Sequence, residues 1–238
     1  MTRQASRIRL VLAFMVPVLA TGCSASNATP AAPGHGLEVV ELFQSQGCSS
    51  CPPANANVMA LASRPDVLTL SWQVTYWDYL GWKDSFAQPA FTERQHEYAR
   101  ALGHNGVWTP QVVINGRGDV VGADQGELAG ALHRFDRGGD VVRVVLRPGK
   151  VALSGAATNA SVYLVRYDPH IVQVPIRAGE NGGRTLPHRN IVREYRQLGK
   201  FTGGTSELSL PVNRQAGLKT AILVQIGSTG PVLAAAHD

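Results

Sequence analysis

The strongest constraint in this chain is a cysteine pair, Cys48 and Cys51, set between an apolar strand and a proline-led helix. Residues 37–43, LEVVELF, carry apolar residues on both sides of a period-2 pattern, with Glu41 set among Val39, Val40, Leu42 and Phe43. That predicts a central strand buried on both faces. After a short loop, a helix is predicted over 52–62. Pro52 and Pro53 fit its first turn, Val58 and Leu61 give it an apolar face, and Pro65 ends it. Unpaired amides at a helix start favour a thiolate over a thiol, and a thiolate is what attacks a disulfide. Cys48 is therefore the expected nucleophile and the more exposed thiol, with Cys51, one turn inside, as the resolving thiol. Two other uses stay open. An inert disulfide would brace little, because stabilisation grows with loop length. Two thiolates can also hold Cu(I). Zinc would need further ligands, and neither a second cysteine pair nor clustered histidines supply them.

The pattern continues with a strand at 67–74, where Leu68, Leu70, Trp72 and Val74 alternate. A helix follows at about 89–102, with Phe91, Tyr98 and Leu102 inward and Gly103 as its stop. QVVI at 111–114 is a strand, Asn115-Gly116 a tight turn, Val120 and Val121 begin the return strand, and a helix spans 124–136. Residues 37–137 thus read β-α-β-α-β-β-α. Residues 138–238 show short strands near 140–146, 150–154, 161–167, 171–177, 190–200, 206–212, 219–226 and 231–236, which predict a small β-sandwich-like domain. The polar run at 182–190 is either a connector or a segment that reaches over the thiols through Arg184 and Arg189.

At the other end, residues 10–20 form an apolar run behind Arg3, Arg7 and Arg9. The run is too short for a membrane span and matches a secretory signal over 1–22. Leu19-Ala20-Thr21-Gly22-Cys23 resembles a bacterial lipobox, which implies lipidation at Cys23 and a Pro/Gly-rich tether over 23–36. An exported chain lives in an oxidising compartment, so the expected location is the periplasm, on a membrane anchor. Net charge falls from +5 to +2 without the three leading arginines. No basic footprint for nucleic acid remains on the folded part.

The β-α-β-α-β-β-α order, with C-x-x-C between its first strand and first helix, resembles the thioredoxin fold. The resemblance implies a cis peptide bond at Thr109-Pro110, facing the cysteines, with the backbone of Thr109 docking a client. It also implies that Glu41 is a buried proton acceptor for the resolving thiol. Trp77, Trp82 and Trp108 are expected to form an apolar wall beside the thiols. The stretches VVELFQSQGCSSCPPANA, TYWDYLGWKDSFAQPAFTERQ, WTPQVVINGR and GENGGRTLPHRNIVREYRQLG are similar to the DUF1223 family of exported bacterial proteins. The dipeptide between the cysteines, Ser49-Ser50, leaves the redox direction open. The expected activity is thiol-disulfide exchange with a protein or small-thiol disulfide, reset by an unidentified redox partner. No organic cofactor is implied, since no G-x-G-x-x-G or phosphate loop occurs. The alternatives are a Cu(I)-handling protein and a non-catalytic interaction module.

Overall fold

The computed structural model describes residues 1–2, 36–213 and 215–238. The expected signal, Cys23 and nearly all of the tether fall outside the described residues. The compact part of the chain is a mixed α/β fold built on one large mixed sheet.

The first half follows the expected order. Strand β1 (Glu38–Gln44) leads to α1 (Cys51–Leu61), β2 (Val67–Gln73), α2 (Pro89–Ala101), β3 (Gln111–Ile114), β4 (Gly118–Val120) and α3 (Gln125–Arg134). Prolines open α1 and α2, where a missing N–H costs nothing. Asp124 caps α3 by accepting the Glu127 N–H at 2.7 Å. Asn115 and Gly116 both take positive φ, as the two-residue turn between β3 and β4 requires. A Cβ on Gly116 would fall 2.2 Å from the Gly230 carbonyl oxygen, so only glycine fits this crossing.

The second half is all strand: β5 (Val142–Arg147), β6 (Lys150–Gly155), β7 (Ala160–Asp168), β8 (Val172–Pro175), β9 (Thr185–His188), β10 (Ile191–Phe201), β11 (Gly204–Ser209), β12 (Lys219–Ile226) and β13 (Val232–His237). Strand β9 lies inside the polar run that the sequence leaves without regular structure.

The eight-stranded sheet runs β13-β12-β7-β10-β2-β1-β3-β4. β1 pairs parallel with β2 and antiparallel with β3. The second half is sandwich-like, as expected, because a three-stranded sheet, β11-β6-β5, packs on one face of β7, β12 and β13 through Val142, Leu153, Leu164, Ile222 and Ala234. It is not a separate sandwich. One of its layers continues the sheet of the first half, since the open edge of β2 takes the start of β10. Ile191 bridges Ser71, the Ser71 N–H donates to the Asn190 carbonyl, and the Asn190 amide donates to Thr69.

The two faces of β1 have different partners. Val40 and Leu42 pack with Ala54 and Val58 of α1 and Leu128 of α3. Val39 and Phe43 pack with Trp72, Phe91 and Tyr98, under α2. Strand periodicity thus decides which helix each residue of β1 meets.

Candidate functional site

Cys48 and Cys51 form a disulfide at the start of α1. Helix α1 begins at Cys51 with Ser50 as its N-cap, so Cys48 lies just ahead of the first turn. Its sulfur has two polar neighbours, the Ser50 hydroxyl at 3.3 Å and the Thr109 carbonyl at 3.8 Å. Thr109-Pro110 is a cis peptide bond. The sequence reading places these residues together, and so does the structure. Trp77 joins them, donating its indole N–H to the Thr109 hydroxyl at 2.7 Å. Trp108 contributes differently. Its ring meets His104 edge-on, and its carbonyl accepts from Gln95.

Two expectations fail. Cys48 is not exposed: it is 0% accessible, and Cys51 2%. The β8–β9 loop is bonded to the backbone around Cys48. Asn181 donates to the carbonyls of Gln46 and Cys48 at 2.9 and 2.8 Å. Glu180 accepts from the Ser49 amide and hydroxyl at 3.0 and 2.7 Å, and these bonds hold its carboxyl below the usual range. Of the two arginines expected to reach over the thiols, Arg184 lines a cavity with Cys51, whereas Arg189 donates to the Pro169 carbonyl.

Glu41 is the second correction. It is one residue out of phase with Val40 and Leu42, so it points away from α1 and into the face under α2. There Arg94 donates to both carboxylate oxygens at 2.8 Å, and the Tyr98 hydroxyl donates at 2.5 Å. The Arg94 guanidinium lies among the rings of Trp72, Tyr98, Tyr163 and Tyr195. Both charges are buried, and both are paired. Glu41 thus anchors α2 rather than accepting a proton from Cys51.

Several residues around the cysteines carry no sequence motif. Gln46 is pinned by Trp82 and Ser85, and its N–H donates to Asp84 at 2.7 Å. Burial pushes Asp84 up to about 6, against the pull of the Gln46 and Phe86 amides. On the α1 side, a cavity of about 270 Å³ is lined by Gln44, Cys51, Asn55, Arg184 and His188, among others. Asn55 donates to the Pro187 carbonyl at 2.7 Å and so holds β9 against α1. His188 is buried with no hydrogen-bond partner on either ring nitrogen. Burial drives it down to about 4. Among the described residues, no group of three or more His, Cys, Asp or Glu side chains is placed to hold a metal, and no helix is long and apolar enough to cross a membrane.

Fold and site together define a mixed α/β protein with a buried cysteine pair at the start of its first helix. Residues 39–225 match the family described as protein of unknown function, DUF1223, and the chain belongs to that family. An X-ray structure of a protein from Agrobacterium tumefaciens is similar at 33% identity and a TM-score of 0.68, over 85% of this chain and 94% of that one. The structure of HBP35 from Porphyromonas gingivalis aligns at 11% identity with a TM-score of 0.56, over 86% of this chain and 75% of that one. That second likeness is one of fold alone. No curated protein matches the chain.

Proposed function

We propose that this protein is a thioredoxin-like thiol-disulfide oxidoreductase of the bacterial envelope. The observation that carries the reading is the contact between the Cys48 sulfur and the Thr109 carbonyl, at the head of α1 and beside Pro110. The order β2-β1-β3-β4, with β3 antiparallel to β1, supports the thioredoxin-like assignment. In this reading a client disulfide docks along the Thr109 backbone as a short added strand. Cys48 attacks it, a mixed disulfide forms, and Cys51 resolves that bond. The β8–β9 loop must yield for a protein client to reach Cys48. A signal over 1–22 and a lipid at Cys23 would hold the protein on a membrane facing the periplasm.

The test is trapping. Cys51→Ser should accumulate mixed disulfides through Cys48, and the wild-type pair should equilibrate with a glutathione redox buffer. A pair that neither equilibrates nor traps a partner would sink the reading. Cys23→Ala should release the protein from membranes or block its processing. A mature wild-type N-terminus beyond Cys23, without lipid, would remove the anchor.

A further inference from the structure

His188 is an anomaly that the architecture does not require. Buried polar atoms are almost always hydrogen-bonded, yet both of its ring nitrogens lack a partner while the residue is only 2% exposed. Its neighbours are otherwise ordinary: the Phe86 ring meets it edge-on, and β9 places it beside α1. What sets the position apart is the cavity it shares with Cys51. The lining is mostly apolar, with polar groups brought in by Gln44, Ser45, Asn55, Arg184 and Thr185. At about 270 Å³ the cavity has room for several waters, each needing two to four polar partners.

We propose that His188 accepts the proton of Cys51, through cavity water, when Cys51 resolves a mixed disulfide. This rests on the oxidoreductase reading and supplies the proton acceptor that Glu41 does not. The step balances as follows. The Cys51 sulfur bonds to the Cys48 sulfur while its proton passes to the His188 imidazole. The bond between Cys48 and the client sulfur breaks, and that sulfur leaves as a thiolate with the electron pair. The client disulfide is the oxidant of the cysteine pair.

Burial holds the imidazole neutral through the neutral range, so a lone pair is available; the same burial makes it a weak base, so it takes the proton only transiently and passes it on to cavity water. Arg184 is the charged side chain that shares the cavity, and it favours a thiolate on Cys51. On the Phe86 side, the Arg193 guanidinium stacks on that ring, and Asp84 is engaged with the Gln46 and Phe86 amides. No carboxylate lines the cavity to compete for the proton.

The experiment uses the reduced full chain and the aromatic disulfide 5,5′-dithiobis(2-nitrobenzoate), with release of the coloured thiolate followed in two phases. The first phase reports attack by Cys48, the second resolution by Cys51. For His188→Gln the first phase should match wild type. The second should slow by at least about tenfold at pH 6–7, within the ~10²–10⁴-fold that a positioned base supplies. It should recover toward wild type as the pH is raised and hydroxide can take the thiol proton instead. A second phase with wild-type rate and pH profile would overturn the role of His188 alone. Absence of the first phase in wild type would overturn the oxidoreductase reading, and this proposal with it. A second measurement needs no variant: the His188 proton resonances should titrate differently in the oxidised and reduced protein. Superimposable titrations would also overturn the proposal.

Discussion

Glu41 and His188 are both buried ionisable residues, yet they are built on opposite rules. Around Glu41, Arg94 and Tyr98 fill the carboxylate with three hydrogen bonds, and four aromatic rings enclose the guanidinium. Gln225 and the Ser228 carbonyl, from the second half of the chain, accept from the same arginine. Around His188 nothing is filled. The paired cluster ties α2 to both halves of the sheet, with both carboxylate oxygens engaged by donors. The unsaturated residue shares a cavity with Cys51. The difference teaches that burial of a titratable group does not by itself mark a site; the state of its partners does.

The sharpest way to break this comparison is Arg94→Met. It leaves the Glu41 carboxylate buried without its cation, and such losses cost about 3–5 kcal/mol. A urea midpoint should show the fall, while the cysteine pair of the folded fraction keeps its reactivity. A mild effect would mean that Glu41 is not the structural anchor described above.

Acid provides the next test. His188 is lower in the folded protein, at about 4, than its ordinary 6.5. The unfolded chain therefore binds the extra proton, and stability is lost as pH falls from about 6.5 to 4. Asp84 is raised from 3.8 to about 6. Here the folded chain binds the extra proton, so stability is gained over the overlapping range. The two slopes oppose each other. His188→Leu should leave the Asp84 slope alone, making the variant more stable at pH 4.5 relative to pH 7 than wild type. The difference is up to about 2–3 kcal/mol, readable from urea midpoints at the two pH values. An unchanged pH profile would mean that His188 is solvated in solution.

Asn181→Ala is expected to act more weakly, by about 1–3 kcal/mol, because two buried carbonyls lose their donor. Its more telling effect is on access. After reduction, alkylation of Cys48 should be faster than in wild type, and equal rates would show that the β8–β9 loop does not cover the sulfur. The smallest effect belongs to the exposed pair Lys150–Glu207 on β6 and β11. Lys150→Ala should change stability by less than about 1 kcal/mol, which sets the scale for the loss at Arg94.

Most of the scaffold was legible in the sequence because it rests on local pattern. The alternation of LEVVELF and VLTLSWQ, the prolines that open α1 and α2, and the Asn115-Gly116 turn each fix an element from within a few residues. Cys48, Cys51, Thr109, Pro110 and Trp77 come together where expected. What was not legible depends on side-chain direction and on partners far along the chain. Glu41 was placed under Cys51, although a strand turns alternate residues to opposite faces and so sends it to Arg94. The stripe of α2 at Phe91, Arg94, Gln95 and Tyr98 hides two polar residues on an inward face, where hydrophobicity alone does not find them. Asn181 and Glu180 precede the polar run at 182–190, and nothing local marks them as partners of the Ser49 and Cys48 backbone. The second half reads as a domain of its own because its strands alternate normally. It continues the first sheet through Asn190, with φ of 52° and its amide on Thr69, and through the bridge from Ile191 to Ser71.

The latch on Ser49 and the Cys48 carbonyl couples the cysteine motif to a distant stretch of the chain. The backbone around the sulfur is held by Glu180 and Asn181, which lie 131 and 133 residues downstream of their partners Ser49 and Cys48. Substitutions in that hairpin would loosen the backbone of Ser49 and Cys48 without altering a single atom of Cys-Ser-Ser-Cys, so the setting of the motif is written far from the motif itself.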